Sequence, residues 1–229
     1  MHHLVNMNKI LLTLLICLQV AVSNNLIAQV NDAGLWMTVS VEKKLSKKFK
    51  VVVAEEIRLR ENISMIGQLF TDVSLQYKVT KSFLVSGSYR FAMKQNLDFI
   101  YEPRQRFYAD LIYKVKANKF DFYLRTRLQN QDRYTIPGNE NYNNTLYWRN
   151  KISAKYGIKN FTPFVSFEVY YPLNSTTMNV IDGLRYQAGT DYKINKHHAV
   201  SLYYLIDQEI QVNNPQNSYV VGLEYDYSF

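Results

Sequence analysis

Polar and apolar side chains alternate along most of the chain, with a period of two. No segment repeats convincingly with the period of 3.6 that a helix requires. The alternation divides into about eleven segments, at 34–45, 49–61, 68–79, 83–94, 104–116, 119–132, 144–156, 161–171, 179–193, 198–210 and 218–229. In the second, Val51, Val53, Ile57 and Leu59 form one face, and Lys50, Glu56, Arg58 and Arg60 form the other. In the fifth, Phe107, Leu111, Tyr113 and Val115 oppose Arg106, Asp110 and Lys114. These segments are longer than the strands of about 5 or 6 residues usual in soluble sheets, and they suit strands that cross a bilayer at a tilt.

The links between segments predict how the strands connect. Tight links at 46–48, 80–82, 117–118, 157–160 and 195–197 alternate with longer polar links at 62–67, 95–103, 133–143, 172–178 and 211–217. Short turns at one end and longer loops at the other are the pattern of an outer-membrane barrel. Pro103, Pro137, Pro172 and Pro215 fall in or beside the long links, and Pro163 sits at a strand start, so none removes a ladder hydrogen bond mid-strand. Phe49, Tyr77, Phe83, Tyr113, Phe120, Tyr156, Phe161, Tyr192 and Tyr227 all flank the tight-link side on the apolar parity, as an interfacial aromatic girdle would. The expected fold is all-β, an antiparallel transmembrane up-and-down barrel of about 10–12 strands. One element conflicts with this scheme. If Phe229 lies at the periplasmic end, segment 34–45 runs from the outer side, although such barrels usually have an even strand count. Either one strand is misassigned, or the first closes the barrel atypically or lies against its mouth.

The N-terminus changes the picture of where the protein goes. Lys9 precedes an apolar run from Ile10 to Leu18, followed by Ser23-Asn24-Asn25 and then Ile27-Ala28-Gln29. That order predicts a secretory signal peptide over 1–29, too short in its apolar part to be a mature membrane helix, and leaves 30–229 as one barrel domain. Cys17 is the only cysteine and lies in that segment, which excludes disulfides, thiol catalysis and thiolate metal sites from the mature chain. The 19 Tyr and 12 Phe against 8 Gly and 5 Pro agree with long strands and few turns. A net charge of +8 leans basic without a long Lys/Arg block, and an exported protein is not expected to meet nucleic acid.

At the other end, the alternate aromatic positions Tyr225, Tyr227 and Phe229 resemble the C-terminal assembly signal of outer-membrane barrels. Gly34-Leu35-Trp36, Glu55-Glu56-Ile57-Arg58, Ser88-Tyr89-Arg90, Arg106 with Asp110, Leu124-Arg125-Thr126-Arg127, Trp148-Arg149 and Phe164 with Glu168 together resemble the domain of unknown function 2490 family, in order along the whole mature chain. The resemblance implies an outer-membrane barrel and carries over no catalytic residues. The expected partners are outer-membrane lipid and the barrel assembly machinery, with a small solute as a further candidate and no cofactor.

The inward face holds the candidate chemistry. Mirroring the hairpins about their links puts Arg58 opposite Asp72, Asp72 near Arg90, Asp110 near Arg125, Arg149 near Glu168, Glu168 near Arg185, and Arg185 near Asp207; Arg106 and Arg127 share the same parity. Such charges either pair across strands and fill the interior, or stand free and line a solute path. Arg90, Arg104, Arg106, Arg125, Arg127, Arg149 and Lys151 outnumber Asp110 on the fourth to seventh strands, which would lean a pore towards anions. Catalysis has less to work with. A membrane lipid hydrolase needs an acid–base group, and after the signal segment only His197 and His198 remain, both in a tight turn. Glu55 and Glu56 point to opposite faces, and neither a metal site nor a phosphate loop is expected.

The signal segment and the terminal aromatics generate a direct test. The protein is expected to fractionate with outer membranes, and deletion of Phe229 to impair its assembly. Recovery of the native chain as a soluble periplasmic species would overturn both expectations.

Overall fold

The computed structural model describes residues 30–96, 98–133, 145–174, 180–212 and 214–229. The proposed signal segment and the long link around Pro137 lie outside them. The strands are β1 (Val30–Lys44), β2 (Phe49–Arg60), β3 (Met65–Lys78), β4 (Phe83–Gln95), β5 (Tyr101–Ala117) and β6 (Phe120–Arg133). They continue with β7 (Thr145–Tyr156), β8 (Phe161–Pro172), β9 (Gly183–Lys193), β10 (His198–Glu209) and β11 (Gln216–Ser228). Each pairs antiparallel with its neighbour in sequence, and β1 meets β11 to close the barrel. Strand lengths run from 11 to 17 residues.

The closing pair resolves the conflict over the first segment. Among eleven strands joined by consecutive hairpins, the first and the last run in the same direction, so closure must be parallel. β1 and β11 pair in this way from Val30↔Gln216 to Glu42↔Ser228. Segment 34–45 is therefore a full staff of the wall, and closure leaves no sheet edge. A parallel ladder is slightly weaker per residue than an antiparallel one. At one level beside this seam the interior is apolar, where Trp36, Tyr203, Leu205 and Val220 form a buried cluster against which Phe164 packs. Glycines make the close approach possible. A Cβ on Gly222 would lie 2.0 Å from the ring of Tyr203, and one on Gly189 would lie 2.5 Å from the Leu202 carbonyl oxygen.

Three of the five tight turns share one construction. Ser46 Oγ accepts the amides of Lys48 and Phe49, Thr80 Oγ1 those of Ser82 and Phe83, and Asn195 Oδ1 those of His197 and His198. Each is a side-chain-locked turn that stiffens the hairpin tip. Just above the turns, Phe49 faces Tyr77, Phe83 faces Tyr113, Phe120 faces Tyr156 and Phe161 faces Tyr192 across the ladder. The Phe49–Tyr77, Phe120–Tyr156 and Phe161–Tyr192 ring centroids are 4.8, 4.6 and 4.7 Å apart. The outward parity between the two ends is aliphatic and open, with Leu124, Ile152 and Leu202 each 54 % exposed.

Two link expectations need correction. The β2–β3 link spans 61–64 and is no longer than the tight turns, because positive φ at Glu61, Asn62 and Ile63 reverses the chain early. The β5–β6 turn is 118–119, with Asn118 at φ 55, not 117–118. Moving a turn centre by one residue moves the register by two, which matters for the charge pairs below.

Gly189 and Gly87 give a contrast that tests the packing of this wall. Gly189→Ala is expected to lower the thermal stability of the detergent-solubilised barrel by about 1–3 kcal/mol, the usual cost of overpacking. Gly87→Ala, whose Cβ would meet nothing within 4 Å, is expected to be neutral. Equal melting of the two variants would contradict the seam packing.

Candidate functional site

The inward side chains at mid-height come together in a belt of alternating guanidinium and aromatic groups. Arg90 on β4 stacks on Phe70 of β3, with Cζ 3.6 Å from the ring centroid, and Arg58 on β2 lies 5.0 Å from the centroid of the same ring. Arg58 also stacks on Trp36 of β1 at 3.6 Å. Trp36 reaches past the glycine-containing seam to Arg185 on β9, at 5.2 Å. Arg185 lies 5.4 Å from Tyr170 of β8, which in turn stacks with Arg149 of β7 at 4.1 Å. On the remaining arc, Arg127 of β6 covers Tyr108 of β5 at 3.8 Å.

Carboxylates satisfy the edges of these guanidiniums. Asp72 accepts Arg90 Nε at 2.7 Å and the Tyr108 hydroxyl at 2.7 Å. Asp110 accepts Arg127 in a bidentate pair, at 2.6 and 2.8 Å. Glu56 takes Arg58 Nε at 2.5 Å and the Thr38 hydroxyl at 3.2 Å. Asp207 is paired with Arg185, its register partner. Glu168 Oε1 accepts Arg149 Nε at 2.8 Å and is also bonded by Arg125. Arg149 spends its other nitrogens on Gln129 Oε1 and the Tyr170 hydroxyl, both at 2.8 Å. Glu168 is 2 % exposed and Arg149 6 %, so this node is dry.

The sequence-derived pairs fare unevenly. Asp72 lies opposite Arg90, Arg185 opposite Asp207, and Arg149 meets Glu168 diagonally. Arg58, however, faces Gln68 and not Asp72, because the β2–β3 turn comes early. Asp110 faces Arg127 and not Arg125, because the β5–β6 turn is one residue later than the links suggested. Glu168 faces Arg185 across the ladder, yet its carboxylate goes to Arg149 and Arg125. Arg106 stands opposite Arg90 in the β4–β5 ladder. Reasoning from charge alone missed Trp36, Phe70, Tyr108, Tyr170 and Glu56. Their inward parity was the available signal, since an aromatic ring on the polar face of a strand needs a partner there.

The belt lies between two cups. Towards the long-link end, a cavity of about 340 Å³ is lined by Tyr147, Tyr170, Asp182, Asp207 and Glu209. Below the belt, a polar cavity of about 170 Å³ lies among Lys155, Asp191, Ser201, Tyr203 and Glu224. In that cavity Asp191 accepts Ser201 Oγ at 2.9 Å and Lys155 Nζ at 2.7 Å. At the tight-turn rim, His197 Nδ1 is 2.6 Å from the Ser228 carbonyl and His198 Nδ1 is 2.6 Å from the Tyr225 hydroxyl. Tyr227 and Phe229 meet edge to face at 4.8 Å, and the Phe229 amide bonds the Glu42 carbonyl, which carries the closing ladder to the end of the chain.

These features define a closed, odd-stranded β-barrel with an ion-paired interior and an apolar exterior. The family described as Protein of unknown function (DUF2490) matches residues 33–219, from the start of β1 into β11, and the chain belongs to that family. A comparison with curated proteins finds no match.

Glu168 is the group on which this node depends, which reverses the order that a simple pair would give. Arg149→Ala leaves Glu168 with Arg125 and should cost about 1.5–3 kcal/mol, the range for a hydrogen bond to a charged group. Glu168→Ala leaves two buried guanidiniums facing each other and should cost about 3–5 kcal/mol. The double variant is expected to recover part of the larger loss. Thermal denaturation in detergent reads all three, and a greater loss in Arg149→Ala than in Glu168→Ala would refute the assignment.

Proposed function

We propose that the protein is an outer-membrane barrel, closed at mid-height, that works through its two ends as a structural or binding platform and not as an open pore. The single observation that carries the closed reading is the belt, in which Arg58, Arg90, Arg127 and Arg149 are each stacked on a ring and held by a carboxylate, and Arg185 pairs with Asp207 within 5.4 Å of Trp36 and Tyr170. Cations engaged on face and edge are poorly placed to hand a solute along a path.

Several features support the membrane placement. Exposed large apolar side chains recur on the outward face of every strand, whereas soluble monomers expose them mostly singly, and in lipid this exposure costs nothing. A closed barrel satisfies every backbone ladder internally, as a bilayer demands. The Phe–Tyr pairs at the tight-turn end suit an interface of apolar body and polar tip. The signal segment and Tyr225, Tyr227 and Phe229 support export and handling by the barrel assembly machinery, in a bacterium of Gram-negative type. The histidines are already bonded at the seam, which favours a non-enzymatic role without a cofactor.

Planar-bilayer recording tests the closed reading. The reconstituted protein is expected to give no discrete conductance steps. Steps with anion preference that weaken in Arg149→Ala would establish a narrow anion channel in its place.

A further inference from the structure

At the tight-turn mouth a cavity of about 370 Å³ opens between the β1–β2 and β3–β4 hairpin tips and reaches in to Ile112 and Tyr123. Seven lysines line it, and no aspartate or glutamate does. Lys50 and Lys114 are neutralised from outside the cavity, by Glu42 at 2.7 Å and Asp121 at 2.8 Å. Lys44, Lys47, Lys78 and Lys81 have no carboxylate within 4.0 Å among the described residues. The inward wall between these ammonium groups is apolar, built from Leu84, Ile112 and the ring of Tyr123. We infer that this cup is a binding site for one anionic group carried on an apolar chain, a fatty carboxylate or a single-chain phosphate amphiphile.

Three observations converge on that chemistry. Like charges gathered around one cavity repel one another, and a bound anion relieves the repulsion for all of them at once. The apolar walls gain only from a ligand that also brings methylene groups, which a bare phosphate lacks. The rim is preorganised as well, because Ser46 and Thr80 lock its two turns. Backbone bonds from Lys78 to Lys48 at 2.8 Å and from Lys114 to Ser82 at 2.7 Å hold the hairpins side by side. A preformed site loses less ordering entropy on binding. The volume falls in the range of small-molecule pockets and is too small for a folded partner. This inference stands apart from the membrane placement, since it concerns one mouth of the barrel in any surroundings.

Calorimetric titration of the full chain in dodecyl maltoside, a neutral detergent, tests it with dodecyl phosphate, dodecanoate and inorganic phosphate. Saturable binding of one equivalent of an amphiphile is expected, at least about tenfold tighter than inorganic phosphate, and the tighter of the two amphiphiles identifies the headgroup class. The triple variant Lys44→Gln, Lys78→Gln, Lys81→Gln should weaken it by about tenfold or more, while Lys119→Gln with Lys159→Gln, on other turns, should not. Ile112→Ser provides a second reading that leaves every charge in place, and should weaken the amphiphile but not inorganic phosphate. Absence of saturable binding, equal affinity for inorganic phosphate, or equal loss in both lysine variants would overturn the site.

Discussion

The structure rests on the stacking of arginine on aromatic rings inside the barrel. A guanidinium is planar and weakly hydrated on its faces, and it carries its donors in the plane. It can therefore be buried if rings cover its faces and carboxylates meet its edge. The belt supplies both. Phe70 lies between Arg90 and Arg58, Trp36 between Arg58 and Arg185, and Tyr170 between Arg185 and Arg149. An unpaired cation here would cost several kcal/mol, and a half-satisfied network is worse than an apolar core. A barrel with more strands than the eight or so that side chains just fill needs large groups at its centre, and an Arg–aromatic stack is a large group.

Closure and belt depend on each other. An odd strand count forces β1 and β11 to run parallel, and the seam between them carries no belt arginine. Trp36 crosses that gap. It stands on β1, stacks with Arg58 on the neighbouring β2, and extends over β11 and β10 to Arg185 on β9. Gly222 and Gly189 leave the room in which Tyr203 lies beneath this span. Small residues on β10's two neighbours and one large indole on β1 are thus a single device, which joins the ends of the sheet through the interior as well as through the ladder.

Strand positions were legible because alternation is a local signal, and a wall with an apolar outside and a polar inside repeats it in every segment. All eleven strands fall within a few residues of the segments the pattern marks, and the inward parity of the charged residues follows from it. Register was not legible to the same degree. It depends on where each turn centres, so a one-residue difference at 118–119 sent Asp110 to Arg127 and not to Arg125. Diagonal reach was invisible for another reason: Arg149 is long enough to find Glu168 although its ladder partner is Tyr170. The recurrence of an aliphatic residue, a Ser, Thr or Asn and then Lys, at Leu45-Ser46-Lys47, Val79-Thr80-Lys81 and Ile194-Asn195-Lys196, was present in the sequence and fixes three tight turns, the first two of which flank the cationic cup.

The two ends of the barrel are electrostatically unlike, and the belt keeps them separate. Each tight turn carries a lysine, at 47, 81, 119, 159 and 196. Near the opposite end the charge is mixed, with Asp32, Glu61, Asp98, Asp182 and Glu209 among Arg60, Lys94 and Arg104. Fields from exposed charges fade within about 10 Å at moderate salt. That is shorter than a strand of 11 residues, the shortest in the wall, at about 3.3 Å rise each. A charge placed at one mouth therefore acts on that mouth and hardly on the other. Each end of the wall thus presents its own charge pattern, set by its own turns and links.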